Sequence, residues 1–427
     1  MKRYTEYKDS GVPWIGDIPG HWEVVPFYAA FREINNKGFD SEELLSVYLD
    51  KGVVRFAEEV GRRTNAITAT TDMMNYKLVN PGDFVLNNQQ AWRGSVGVSR
   101  YRGIISPAYV VLKMKESINP SFANYLLRSP KIVAQYYVSS KGVGSIQRNI
   151  YWQALKRRMI LIPTPAEQEK IVAFLDKQTN LIESCICLRE RELQTLNELK
   201  QAKIASAVTR GLNPDVPMKD SGIPWIGMIP AHWENAQLRK YLRLVSEKNH
   251  PEETLLSVTR EQGVIIRNTD SKEENHNFIP DDLSGYKLVK EGQFVINKMK
   301  SWQGSYAVSK YQGIVSPAYY VCDLNFPDKE FFSIAIRSQA YIGFFTQLSK
   351  GIRVGQWDLS TIALKSVPFF EPPIEEQHQI VEYIKQTITS IDYYITSLEK
   401  EIEYLKEYKQ RLISDVVTGK VDVRDEA

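Results

Sequence analysis

Residues 8–23 read KDSGVPWIGDIPGHWE and residues 219–234 read KDSGIPWIGMIPAHWE. Thirteen of these sixteen positions are identical, which a shared composition cannot produce, so the chain carries an internal duplication. The repeat continues far beyond this stretch. Leu44-Leu45-Ser46-Val47 returns as Leu255-Leu256-Ser257-Val258, and each is followed by a Gly-Val pair, Gly52-Val53 and Gly263-Val264. YKLVNPGDFVLN from Tyr76 matches YKLVKEGQFVIN from Tyr286, and GIISPAYVV from Gly103 matches GIVSPAYYV from Gly313. Near the end of each copy, Pro165 and Pro373 introduce Glu167-Gln168-x-x-Ile171-Val172 and Glu376-Gln377-x-x-Ile380-Val381. Whatever the first half folds into, the second half folds into again.

Each copy has two textures. Runs such as FVLNN, GVSRY and AYVVLKM alternate with Gly, Pro and Asn, which reads as strands and turns with a few helices. Past Glu167 and Glu376, proline disappears and apolar residues recur every three or four positions, the pattern of a long helix. The second such stretch places Ile384, Thr387, Ile391, Ile395, Leu398, Ile402, Leu405, Lys409, Leu412 and Val416 on the seam of a coiled coil. The first carries Ile171, Leu175, Ile182, Ile186, Leu193, Leu196, Ile204 and Val208 and stops at Gly211. A helix with one apolar stripe needs a partner, and the two helices can serve each other as an antiparallel pair ~60 Å long. The fold class expected is α+β: two mixed α/β domains in tandem, separated by a long antiparallel two-helix coiled coil. The boundaries are a first domain over residues 1–165, a spacer helix over 166–211, a second domain over 212–373 and a second spacer helix over 374–427.

Length supports more than one domain, since 427 residues exceed one compact core, and 43% hydrophobic with 25% charged residues is ordinary for globular chains. No apolar run reaches the ~20 residues of a membrane span, and MKRYTEYKDSG has no apolar signal core, so a cytoplasmic protein is expected. Cys185, Cys187 and Cys322 have neither disulfide nor zinc spacing and read as small buried residues. The prolines of the repeated motif forbid helix, and its tryptophans can anchor the start of each domain. His21-Trp22 and His232-Trp233 therefore read as structural anchors rather than a metal site.

Charge is unevenly spread. Ser117 to Ala166 contains no acid but holds Arg128, Lys131, Lys141, Arg148, Lys156, Arg157 and Arg158. Weaker acid-free stretches are Asn297–Gln312 and Phe331–Trp357. Basic stretches interleaved with Asn, Gln and aromatics suit nucleic acid. Catalytic motifs are absent: the sequence has no phosphate-binding G-x-x-x-x-G-K-[ST] or G-x-G-x-x-G loop and no Asn/Asp-Pro-Pro-aromatic methyltransferase motif. The Glu-x-Lys triplets Glu198-Leu199-Lys200 and Glu407-Tyr408-Lys409 lie on the long helices, where no nuclease site would be built.

Two variable units in tandem, each followed by Pro-x-(x)-Glu-Gln-x-x-Ile-Val and a long helix ending in Ala-Val-Thr-Arg-Gly or Val-Val-Thr-Gly-Lys, resemble the DNA-specificity subunits of type I restriction-modification systems. The resemblance spans essentially the whole chain. It implies that each domain is a target recognition domain reading half of a bipartite double-stranded DNA site, and that the helices space the domains and dock two methyltransferase subunits. Restriction subunits would join where the system cleaves as well as methylates. The chain itself would be noncatalytic and without cofactor or metal, while S-adenosylmethionine, ATP and Mg²⁺ would be bound by partner subunits. The competing reading is a coiled-coil adaptor displaying two protein-binding domains, with no nucleic-acid role.

If the half-sites differ, scaffold positions should match between copies and base-reading positions should diverge. Asn88-Gln89-Gln90-Ala91-Trp92-Arg93 faces Lys298-Met299-Lys300-Ser301-Trp302-Gln303; Gly144 to Gln147-Arg148 faces Arg353 to Gln356-Trp357; and Tyr48-Leu49-Asp50-Lys51 faces Thr259-Arg260-Glu261-Gln262. Asn and Gln pair bidentately with adenine, and Arg or Lys with guanine. The candidate DNA-binding residues are Asn88, Gln89, Gln90, Arg93, Gln147, Arg148, Arg260, Lys298, Lys300, Gln303, Arg353 and Gln356.

Overall fold

The computed structural model describes residues 2–58, 73–142, 148–268, 280, 282–349, 351 and 357–426. The fold is mixed helix and strand, and the chain forms two compact units. The first comprises Met1–Glu190 with Lys400–Ala427, and the second Arg191–Glu399.

The duplication in the sequence is a duplication in structure. In the first unit a four-stranded antiparallel sheet orders its strands Phe31–Ile34, Tyr109–Met114, Phe84–Asn87 and Val96–Val98. In the second, the order is Leu242–Val245, Tyr319–Leu324, Phe294–Asn297 and Tyr306–Val308. The apolar runs FVLN and FVIN are inner strands buried on both faces, which is why they do not alternate with polar residues. Phe84 and Leu86 point into the larger core, and Val85 into a smaller one with Val47, Val53, Val79, Ile105 and Val111. Phe294, Ile296 and Val295 divide in the same way.

Two helices follow each sheet. Pro120–Leu127 starts on Asn119, whose side chain accepts from the Ser121 and Phe122 amides, and Lys329–Ile336 starts on Asp328, which accepts from Glu330 and Phe331. Pro130–Val138 and Gln339–Leu348 come next. On the other side of the sheet in the first unit lies the hairpin Leu45–Tyr48 with Gly52–Arg55, and in the second Leu256–Thr259 with Gly263–Ile266.

The long helices run Pro165–Arg210 and Ile374–Val417. Every seam position named from the sequence is buried or half-buried. In the first unit, Glu183 pairs with Lys409, whereas the later Arg189 and Glu190 pair with the earlier Glu401 and Lys406, so the two helices run antiparallel there. In the second unit Lys200 pairs with Asp392, and Ile204 packs against the core containing Ile384. Cys185 and Cys187 are exposed, contrary to the expectation that they are buried: the helix buries one stripe, Ile182 and Ile186, and these cysteines flank it. Cys322 is buried on its strand, and burial pushes its thiol up to about 12.

The repeated motif docks on the first turn of the long helix that follows it. Trp22 and Trp233 are almost fully buried. Beside them, His21 Nε2 lies 2.7 Å from Glu167 Oε2, and His232 Nε2 lies 2.8 Å from Glu376 Oε2. Tyr4 donates to the other oxygen of Glu167, and the Trp233 indole donates to Glu376 Oε2. The following glutamines, Gln168 and Gln377, donate to the Pro163 and Pro372 carbonyls just ahead of each helix. The tryptophans also receive the far ends of the helices. Gly419 lies against Pro19 and Trp22, and Gly211 against Glu376 and Trp233; both glycines have positive φ, and a Cβ would collide with Pro19 or Glu376. The anchor reading of His-Trp holds, with a carboxylate partner that is distant in sequence.

Trp233→Ala should therefore cost ~3–5 kcal/mol of stability, read as an earlier urea transition by circular dichroism. A loss below ~1 kcal/mol would contradict the anchoring role.

Candidate nucleic-acid interface

The divergent places come together on a shared framework. In the first unit the framework starts at Asn87, whose side-chain oxygen accepts from the Gln89 amide and whose Nδ2 donates to Tyr109 Oη. Asn297 bonds the Met299 amide and Tyr319 Oη identically. Each loop then makes one 3₁₀ turn, Ala91–Arg93 or Ser301–Gln303, closed by Gly94 or Gly304 in the left-handed region. Ile150 donates its amide to the Asn88 carbonyl, and Leu359 to that of Lys298, which brings the described ends of the second divergent place, Arg148 and Trp357, toward the first.

On this framework the side chains differ. In the first unit, Arg93 lies 5.1 Å over the Trp92 ring, Trp92 lies 6.1 Å from Tyr137, and Arg148 lies 4.2 Å over Tyr137. Two candidate arginines thus share one aromatic platform, which restrains them while leaving them N–H groups that can donate. Arg148 Nε and Asn88 Oδ1 are buried without a partner among the described residues. In the second unit Trp357 stands where Arg148 stands in the first, and it packs 4.9 Å from Trp302. Lys298 is held 3.0 Å from Asp358, whose hydrogen bond raises the ammonium pKa above its ordinary 10.5. It is therefore partly engaged within the unit.

Gln89, Arg93, Arg260 and Lys300 are exposed, while Asn88, Gln90, Arg148, Lys298 and Gln303 are half-buried. Gln147, Arg353 and Gln356 lie outside the described residues. Trp92, Trp302 and Tyr137 were not among the candidates; the Trp92/Trp302 match between copies is the signal that marks the platform. Arg128 does not extend the basic face as its place in the acid-free stretch implied. It is half-buried and donates to the Leu49 and Asp50 carbonyls. Burial of its guanidinium lowers its pKa from the ordinary value.

Among the described residues no cluster of three or more His, Cys, Asp or Glu could hold a metal ion, and no helix is long and apolar enough to cross a membrane.

Comparison with known proteins agrees with the resemblance read from the motifs. The type I restriction enzyme MjaVIII specificity subunit of Methanocaldococcus jannaschii is 24% identical over 431 residues, covering 96% of this chain and 95% of that protein. The putative type I restriction enzyme MjaX specificity subunit of the same organism is 23% identical over 440 residues, covering 96% of each. A chain solved in a study of complex assembly and conformational transition of the type I R-M system superposes with a TM-score of 0.65 at 15% identity, over 95% of this chain and 99% of that one. No protein-family model matches. The chain is thus homologous, over nearly its whole length, to type I restriction enzyme specificity subunits.

Asn297→Ala removes both ends of a buried hydrogen-bond bridge and should cost ~1–3 kcal/mol by thermal denaturation. An unchanged midpoint would show that the loop is held by other contacts.

Proposed function

We propose that this chain is the noncatalytic DNA-specificity subunit of a type I restriction-modification complex. One observation carries the reading: a single framework, built twice in a chain homologous to such subunits over nearly its whole length, presents different side chains at corresponding places. Residues 1–165 and 212–373 act as target recognition domains, each reading one half of a bipartite site in double-stranded DNA. The first offers Asn88, Gln89, Gln90, Arg93, Gln147 and Arg148; the second offers Arg260, Lys298, Lys300, Gln303, Arg353 and Gln356. Aromatic-held Arg93 and Arg148 suit guanine, and the Asn and Gln amides suit adenine.

The long helices pair along their length as an antiparallel coiled coil that separates the two domains. The seam and the interhelical ion pairs in each unit support this arrangement. Their outer faces dock two methyltransferase subunits, and restriction subunits where the system cleaves DNA. Adenine methylation, translocation and cleavage then belong to those partners, which bind S-adenosylmethionine, ATP and Mg²⁺. The adaptor reading gains no support from relatives named for specificity in restriction enzymes.

Selection of random duplexes by the chain in complex with its methyltransferase should enrich two short motifs separated by a gap of fixed length. Matched four-residue insertions at the middle of both helices add ~6 Å and only ~40° of rotation, so the preferred gap should lengthen by about two base pairs. No enrichment would sink the specificity role, and an unchanged gap would sink the spacer role.

A further inference from the structure

Arg128 and Arg337 follow the last residue of equivalent helices, Pro120–Leu127 and Lys329–Ile336, and each reaches across to a hairpin turn. Arg128 Nη2 donates to the Leu49 carbonyl at 3.0 Å and the Asp50 carbonyl at 2.7 Å. Arg337 Nη2 donates to the Arg260 carbonyl at 3.0 Å and the Glu261 carbonyl at 2.7 Å. Gly52 and Gly263 close the two turns at φ +73° and +76°. A Cβ on either would stand 3.5 Å or 3.3 Å from the guanidinium, so the turn is closed by glycine and held by arginine.

These bonds end on main-chain oxygens. Carbonyl oxygens are present whatever residues the turn contains, and the two units hold unlike turns, Leu49-Asp50-Lys51 and Arg260-Glu261-Gln262, at the same distances, with the Asp50 carboxylate adding an electrostatic attraction to Arg128 in the first. The side chains of both turns are exposed on backbones that are fixed. In the first unit the turn adjoins one candidate residue, Arg93: Leu49, Asp50 and Arg93 line one open cavity of about 640 Å³ that the clamping Arg128 also lines.

We propose that Arg128 and Arg337 are positioning residues of a sequence-blind clamp, each fixing a three-residue turn that helps to read one half-site and can be exchanged without losing its shape. This rests on the DNA-specificity reading above. The arginines touch no DNA; they set where the turn presents its side chains.

The test uses the full chain with its methyltransferase partner, and duplexes carrying the selected target or the target with one half altered. Arg128→Ala should lower discrimination against an altered first half-site about tenfold and leave the second unaffected. It should also leave the salt dependence of binding unchanged, because no phosphate contact is lost. Arg337→Ala should do the same for the second half-site. As a variant that keeps the clamp, the exchange Leu49→Arg, Asp50→Glu, Lys51→Gln should stay folded and alter the bases preferred at the first half-site alone. A salt slope lower by about one with discrimination intact would make Arg128 a phosphate contact and overturn the proposal. So would equal losses at both half-sites, or an exchanged turn that unfolds the protein or leaves base preference as it was. If the unaltered complex shows no sequence preference, the specificity reading itself fails, and that is seen before any variant is made.

Discussion

An amphipathic helix with a single apolar stripe gains little from standing alone in water, so two helices of 46 and 44 residues shape this chain only if their ends are fixed. The fixing group is one carboxylate per unit. Glu167 and Glu376 sit in the first turn of each long helix, where the backbone dipole favours negative charge, and each takes a histidine and a further donor from the chain segment that opens its unit. The buried tryptophan next to that histidine closes against the glycine that ends the other helix. Start of one helix, end of the other and first strands of the globular part therefore meet at one point in each unit. That junction explains the core of the repeated sentence: its His-Trp pair and the proline two residues ahead of each histidine meet the start of one helix and the end of the other.

Upon this fixed frame, the first and third divergent places are held by main-chain bonds. Asn87 and Asn297 bond a backbone amide, Ile150 and Leu359 bond backbone carbonyls, and Arg128 and Arg337 bond two carbonyls each. Contacts of this kind keep a loop's path while saying nothing about its side chains. The first unit can then carry an arginine–aromatic platform where the second carries paired tryptophans, without any change in the strands beneath. A protein that must recognise two different targets with one architecture needs this separation of path from content.

Much of the fold was legible because the duplication acts as a second reading of the same physics. The seam from Ile384 to Val416, the stop at Gly211 and the anchoring of Trp22 and Trp233 follow from spacing and residue type. What spacing could not reveal was contact across long separations. The Glu167 partner of His21 lies on another element 146 positions away, beyond what spacing around the histidine reveals. Arg128 was counted with a basic face because charge patterning does not tell which way a side chain turns, although its match at Arg337 marks it as scaffold by the rule that copies agree where structure is held. Lack of disulfide or zinc spacing does not by itself put Cys185 and Cys187 inside, since a helix with one narrow stripe has room for few residues within. The Asp358 partner of Lys298 lies sixty positions away and is likewise beyond what spacing shows.

The central claim is that this chain chooses where a methyltransferase acts. Mapping N6-methyladenine across the genome of cells that express the chain with its methyltransferase partner, and of cells lacking only this chain, tests it directly. The account predicts a methylated bipartite motif with a fixed gap that disappears when the chain is removed. The same motif persisting without the chain would contradict it.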